Sequence, residues 1–358
     1  MAGKAEARAV GERLLAAFRA SGAFPVEADI LQPAETLLDL YGEDIRARAY
    51  VTQDPVRGEM MLRPDFTVPV VRAHMAGGAE PARYCYLGEI FRQQDPRAHR
   101  ATEYFQAGFE IFDGSHPGRA DAEVFALFSD LLAPLGLRAA TGDIGILMAA
   151  VRGLSTLPTR KAALLRHLWR PRRFSALLAR YGGQVPVPAT RAAVIAGTAR
   201  ATAPLVGLRS EAEIAARIAA LREDALAPAI SAEEVALLDD ILELAAPAPA
   251  ALAHLREVAQ ALPAIRAAVD RLAQRLEAMA ARGVAVDRLP FEASHGRTTL
   301  EYYDGFVFSF HAADPALPPV ASGGRYDALT AVLGQGRAIP AVGGVIRPGL
   351  VADLGGLG

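Results

Sequence analysis

This chain of 358 residues holds one cysteine, Cys85, and one tryptophan, Trp169. A single thiol closes no intrachain disulfide and builds no thiolate metal cluster. Cys85 is expected as a buried, inert thiol. The histidines (His74, His99, His116, His167, His254, His295 and His311) follow no metal-ligand spacing. No metal or cofactor is expected. An excess of charge of either sign is also missing, with 38 Lys and Arg against 40 Asp and Glu. That balance argues against a broad basic footprint for nucleic acid. No apolar run has the length of a membrane span. The charged N-terminus, with Glu6, Arg8, Glu12, Arg13 and Arg19, lacks a signal peptide's apolar stretch. The protein reads as cytoplasmic, with no membrane partner. Its glycine-rich segments match neither a P-loop nor a dinucleotide fingerprint.

What is present is an interrupted α+β pattern. Ala5 to Ala20 places Val10, Leu14, Leu15 and Phe18 on one helical face. Ala49–Gln53 and Glu59–Arg63 read as strands joined by a turn at Asp54-Pro55. Thr67–Met75 reads as a helix with Pro69 tolerated in its first turn. Ala82–Phe91 and Ala101–Phe112 read as long strands, and Ala120–Leu132 as a helix. From Val151 to Arg282 the composition shifts to Ala, Leu and Arg. Strand-like sequence returns at Leu300–Phe310, Val320–Ser322 and Ala341–Ile346. The expected organisation is a core in two parts, 1–148 and 286–358, around a helical insertion at 149–285. Long strands broken by one helical block point to α+β rather than alternating βαβ units. The basic run at Arg166, Arg170, Arg172 and Arg173 reads as solvated helix ends, and Trp169 as ordinary packing or an interface anchor.

One stretch concentrates polar groups where a sheet could line a pocket. Asp65 and Thr67, two apart, would share a face if extended. Gln106, Gly108 and Glu110 alternate along a strand, an amide and a carboxylate flanking a glycine that leaves space above the sheet. Such a pattern fits a ligand floor. By spacing alone an ordinary half-exposed strand face fits it somewhat better.

The ordered set Arg63-Pro64-Asp65-Phe66-Thr67, Phe91-Arg92, Gln106…Glu110, Leu300-Glu301-Tyr302-Tyr303 and Ser322-Gly323-Gly324-Arg325-Tyr326-Asp327 resembles histidyl-tRNA synthetases. The resemblance implies a class II synthetase-like antiparallel sheet flanked by helices. It also implies a histidine site of Asp65, Thr67, Arg92, Gln106, Glu110, Tyr303 and Tyr326, with Arg63 and Arg325 as possible support. In the family Glu110 and Tyr303 would meet the imidazole, and Tyr326 would lie against it. Histidine suits that pair because neutral imidazole offers one donor and one acceptor.

The nucleotide half departs from the pattern. Thr298 stands where the family has a catalytic arginine, with Arg297 displaced by one. Leu350 replaces the arginine of the third class motif, Arg347 lies three residues early before a helix-disfavouring Pro-Gly pair, and Gln94 replaces a glutamate. No anticodon-binding domain is expected. This profile resembles the regulatory subunits of short-form ATP phosphoribosyltransferase, a branch of the same family. It implies a non-catalytic chain that binds L-histidine for feedback inhibition and activates a short catalytic subunit, as a homodimer within a hetero-oligomer. The homodimer contact would lie near Pro33–Asp44. A divergent histidine–tRNA ligase is the alternative, and an RNA-binding module through the Arg166–Arg173 run is a third reading. Arg92 is open to either the histidine carboxylate or a phosphate. Asp239-Asp240 reads as a solvated helix face, and His295-Gly296-Arg297 as a loop.

Overall fold

The computed structural model describes residues 2–41, 43–94, 100–199, 207–297 and 302–357. Thr298, Leu300, Glu301 and His99 lie outside these. The elements in chain order begin with α1 (Lys4–Ala20), β1 (Phe24–Pro25), β2 (Leu31–Pro33), α2 (Ala34–Tyr41), β3 (Val51–Asp54), β4 (Gly58–Leu62) and α3 (Thr67–Met75). There follow β5 (Ala82–Phe91), β6 (Glu103–Phe112), α4 (Pro117–Leu132), β7 (Arg138–Asp143) and α5 (Ile144–Gly153). A helical stretch holds α6 (Pro158–Arg166), α7 (Pro171–Tyr181), α8 (Ala189–Ala196), α9 (Glu211–Leu226) and α10 (Ala232–Glu243). It continues through β8 (Ala245–Pro247), α11 (Ala248–Ala261) and α12 (Arg266–Ala281). The chain closes with β9 (Pro290–Glu292), β10 (Phe306–His311), β11 (Ala321–Arg325), α13 (Asp327–Leu333), β12 (Ala341–Ile346) and α14 (Pro348–Asp353).

Among the described residues the main sheet runs β1-β5-β6-β12-β11-β10-β7-β9-β8. Its centre, β5 to β7, is antiparallel, as expected. Its margins are not: β1 pairs parallel with β5, and β9 parallel with β7. These edge strands are two or three residues long, too short to carry a sequence period. β8 lies in the stretch expected to be wholly helical, and it extends the sheet beyond β9. A second sheet orders β2-β4-β3 beside the main one.

The period of two along β6 sorts its residues onto two faces. Phe105, Phe109 and Ile111 turn to one face; Gln106, Gly108 and Glu110 turn to the other. On the first face Phe18 of α1 packs against Phe109 at 5.5 Å and Phe128 of α4 at 5.7 Å. Phe125 of α4 stands edge-on to Phe308 of β10 at 5.6 Å. Helices therefore cover that face with aromatic rings, and the other face is left for polar groups.

Two local expectations need correction. Of the strand expected over Leu300–Phe310, the described residues before Phe306 are not in a strand, and Tyr302 sits in a turn. Pro348-Gly349, read as helix-disfavouring, opens α14, because proline at the first helical position loses no hydrogen bond there. The arginines of the 166–173 run are exposed at the end of α6 and start of α7. Trp169 is half-buried against the core. No helix among the described residues is long and apolar enough to cross a membrane.

Candidate functional site

The site is built from the chain entering α3. Asp65 and Thr67 converge, but not through an extended segment: Phe66 has αR backbone angles and Thr67 already begins the helix. Phe66 holds this entry in place. Its ring stacks on Tyr86 at 4.4 Å, and the Arg63 guanidinium covers it at 4.1 Å. Arg63 also donates from Nε to the Glu89 carbonyl at 2.8 Å. Gly88 admits that guanidinium, since a Cβ there would come within 2.6 Å of an Arg63 terminal nitrogen. Arg63 thus braces the motif from behind.

A cavity of about 150 Å³ opens over the polar face of the sheet. Asp65, Thr67, Arg92, Gln106, Tyr302, Tyr303, Ser322, Gly344 and Val345 line it. Arg92 is oriented by a 2.7 Å bond from Nε to the Pro64 carbonyl. Gln106 is buried, and its Oε1 has no hydrogen-bond partner among the described residues. An unpaired buried acceptor is costly unless a ligand or solvent meets it. Among the described residues no group of three or more His, Cys, Asp or Glu is placed to hold a metal ion.

Glu110 and Tyr326 lie beneath this cavity rather than in its lining. The Glu110 carboxylate accepts from Tyr326 Oη at 2.6 Å, Tyr86 Oη at 2.9 Å and Thr67 Oγ1 at 3.2 Å. Burial pushes its pKa up to about 7, against the pull of those three hydroxyls. The space above Gly108 is not open, as its spacing suggested. Tyr86 of the neighbouring strand fills it, and a Cβ on Gly108 would meet that ring at 2.1 Å. Gly343, cross-strand from Glu110, is equally constrained, because its Cβ would lie 1.4 Å from Glu110 Oε2. Gly343→Ala is expected to cost at least about 3 kcal/mol, the upper range for overpacking. Denaturant unfolding checks this, and a loss below 1 kcal/mol would mean the carboxylate can move aside.

Tyr302 was not among the candidates. Period-two reasoning sends neighbouring tyrosines to opposite faces, but in this turn the two rings stand 4.8 Å apart and both line the cavity. Tyr302 also hydrogen-bonds Thr67, and burial raises its pKa. Arg325 lies outside the lining. It is tied to Asp121 at 2.6 Å and Asp327 at 2.9 Å, so its support is to the framework.

Beyond Tyr104 a second cavity of about 300 Å³ includes Gln94, Arg100, Tyr104, Arg347 and Leu350 in its lining. Three described positions that depart from the synthetase pattern, Gln94, Arg347 and Leu350, thus face one space. Arg347 is spent on the Pro319 carbonyl and on Tyr104. Burial by itself would raise the Tyr104 phenol, but Arg92 and Arg347 hold it below its usual pKa. Arg297, the displaced arginine, does not reach either cavity lining; its Nε donates to the Leu168 carbonyl at 2.8 Å.

The family profile described as histidyl-tRNA synthetase matches residues 3–193 and 191–348. A Mesorhizobium japonicum protein named ATP phosphoribosyltransferase regulatory subunit is 32% identical, covering 94% of each chain. An Agrobacterium fabrum protein of the same name is 35% identical, covering 92% of each. The chain belongs to the ATP phosphoribosyltransferase regulatory-subunit family, within the histidyl-tRNA synthetase-like group. Solved structures agree with that family's fold. A Bacillus halodurans protein described as an ATP phosphoribosyltransferase regulatory subunit/histidyl-tRNA synthetase superposes with TM-score 0.68 at 20% identity. It is matched over 99% of this chain and 81% of its own. Histidyl-tRNA synthetase from Nostoc superposes with TM-score 0.65 at 16% identity, over 99% and 73%. This regulatory-subunit family member therefore has the class II synthetase fold, a mixed sheet flanked by helices.

Proposed function

We propose that this chain is the non-catalytic regulatory subunit of an ATP phosphoribosyltransferase and binds L-histidine for feedback inhibition. The observation that carries the reading is the convergence of Asp65, Arg92 and the unpartnered Gln106 Oε1 on one amino-acid-sized cavity. Asp65 and Gln106 suit an α-ammonium, and Arg92 suits a carboxylate. The hydroxyls of Thr67, Tyr302, Tyr303 and Ser322 suit an imidazole, which needs both a donor and an acceptor. Glu110 and Tyr326 act from below by orienting Thr67. A site built on such bonds discriminates strongly against aliphatic analogues.

The names of the relatives support a catalytic ATP phosphoribosyltransferase subunit as the partner. We read that partner as a short-form subunit that supplies the phosphoribosyl-transfer residues, and this chain as a homodimer in the hetero-oligomer. Adenylate chemistry needs cations on the developing phosphate charge, and Leu350 supplies none. Histidine inhibits such a complex only by binding one assembly state more tightly than another.

The test is phosphoribosyl-ATP synthesis by the matching catalytic subunit, with and without this chain, across a histidine titration. Activation by this chain, reversed by histidine, is expected. Gln106→Ala is expected to raise the half-inhibitory histidine concentration at least about tenfold, the loss of one hydrogen bond. Activity indifferent to histidine at every concentration sinks the reading, and histidine-dependent pyrophosphate exchange would restore the ligase alternative.

A further inference from the structure

Asp304 directly follows the two cavity tyrosines, yet it does not line the cavity itself. Its carboxylate turns to the start of α13. Oδ1 accepts from the Asp327 amide at 3.0 Å, and Oδ2 from the Ala328 amide at 2.7 Å. Amides in the first turn of a helix have no intrahelical carbonyl to meet. Tyr326, at the N-cap position of α13, makes no side-chain cap bond. The cap comes instead from the tyrosine turn, 23 residues before Asp327. A serine or asparagine offers one acceptor oxygen, whereas a carboxylate offers one to each amide. The backbone adds to this: the Asp304 amide donates to the Arg325 carbonyl at 3.0 Å. Gly305 then lies against the Arg325 side chain, where a Cβ would come within 3.0 Å. The 325–328 segment is itself held, because Asp327 Oδ1 accepts from Arg325 and from the Ala341 amide, both at 2.9 Å. Tyr302 and Tyr303 therefore sit between two fastenings, the Tyr302 bond to Thr67 and the Asp304 bonds to 325–328.

We infer that Asp304 is a positioning residue, which presets Tyr302 and Tyr303 for the ligand by clasping the first two amides of α13. Hydrogen bonds to an ionised acceptor are about twice as strong as neutral ones. Burial, and then the Asp327 carboxylate, push the Asp304 pKa up to about 6, while the two amides and Arg325 pull it down. Removing the clasp frees the backbone on one side of Tyr303. Ordering that backbone again on binding lowers affinity. An Asp304 that only capped α13 would affect stability and leave the tyrosine turn as it is. Only the ligand arm of this inference rests on the histidine reading.

The test compares the full-length wild type with Asp304→Ala, with Ala328→Pro and with the double variant. Ala328→Pro removes one donor of the clasp from outside the cavity. Ala328 is exposed, and proline is tolerated in the first turn of a helix. Hydrogen exchange is measured first, without ligand, in peptides covering residues 302–305. Faster exchange there is expected in Asp304→Ala, with a smaller rise in Ala328→Pro. Unchanged exchange in both would overturn the positioning role, whatever histidine does. L-histidine is then titrated by calorimetry. Asp304→Ala is expected to bind about tenfold more weakly, the equivalent of reordering one residue's backbone. Ala328→Pro keeps the Asp327 amide and is expected to lose about threefold. The double variant is expected to bind no more weakly than Asp304→Ala, because both changes act through one contact. Losses that multiply in the double variant would overturn the clasp, as two independent defects would give that result. Wild-type affinity in both single variants despite faster exchange would overturn the presetting of the tyrosines. If Asp304→Ala does not fold, Ala328→Pro is read by the same two measurements. Faster exchange in 302–305 with no histidine binding by the wild type would keep the positioning role and remove the histidine reading.

Discussion

Arg275→Met is expected to lower the unfolding free energy by about 3–5 kcal/mol, the range for breaking a buried ion pair from one side. Arg275 projects from α12 into the core, where Nε meets Asp121 at 3.0 Å and a terminal nitrogen meets Asp143 at 2.6 Å. All three residues are at most 3% exposed. Asp121 keeps a partner when Arg275 is removed, because Arg325 also reaches it at 2.6 Å. Asp143 has no second cation in this network. Its remaining bond, from the Gly145 amide at 2.9 Å, caps α5 but carries no countercharge. The penalty therefore comes from Asp143. Combining Arg275→Met with Asp143→Asn is expected to recover more than half of the loss, as a double-mutant cycle measures. A single-variant loss below 1 kcal/mol would show that the network is worth no more than surface charges, and no recovery in the pair would show that the penalty does not come from Asp143. Because this network fastens α12 to β7 and α4, its loss is also expected to expose the helical stretch before the sheet melts. Hydrogen exchange would see that order.

None of this network was legible in the sequence. Arg275 is 154 residues from Asp121 and 132 from Asp143, and no local period links them. The fold was more legible where pattern is dense. α3 and β12 begin and end where periodicity placed them, because each is long enough to show its period and is flanked by Pro or Gly. Edge strands β8 and β9 fell below that length. The site was legible as a set of residues, and less so as an arrangement. Asp65, Thr67, Arg92, Gln106 and Tyr303 do share one cavity. Asp65 and Thr67 share it because the chain turns into a helix, whereas alternation had offered an extended segment. Gly343 carried no role in the sequence beyond a segment that matches no phosphate-binding fingerprint, yet only glycine there leaves room for the Glu110 carboxylate. Glycines matched to a side chain on the neighbouring strand become visible only when the register is known.

The largest pH effect is expected at Glu110. Its carboxyl sits at about 7 in the fold against a reference value of 4.5, because burial outweighs the hydroxyls of Tyr326, Tyr86 and Thr67. The sign follows from linkage. Below pH 4.5 the folded and unfolded chains both hold the proton, and the stability tied to it is fully present. Between 4.5 and about 7 the unfolded chain gives up its proton while the folded chain keeps it, so stability falls as pH rises. Above about 7 both are ionised and the loss is complete. The wild type is thus expected to lose on the order of 3 kcal/mol between pH 4 and pH 8 through this group. Glu110→Gln should not show that component. Other groups titrate in the same range, so the difference between the two proteins is the quantity to read. Asp304, raised to about 6 mainly by burial, adds a slope of the same sign. His74, His295 and His311, lowered mainly by burial, add slopes of the opposite sign. All four are common to both proteins and cancel. Urea unfolding at intervals across this range measures the difference. Parallel curves for wild type and Glu110→Gln would mean that the three hydroxyls hold Glu110 ionised throughout. The same titration bears on the ligand site, because Thr67 spends its hydroxyl on Glu110. Once the carboxyl is protonated its pull on that hydroxyl weakens, so the pH dependence of L-histidine affinity is expected to carry a component near pH 7 in the wild type that Glu110→Gln lacks, the ligand's own imidazole titrating alike with both.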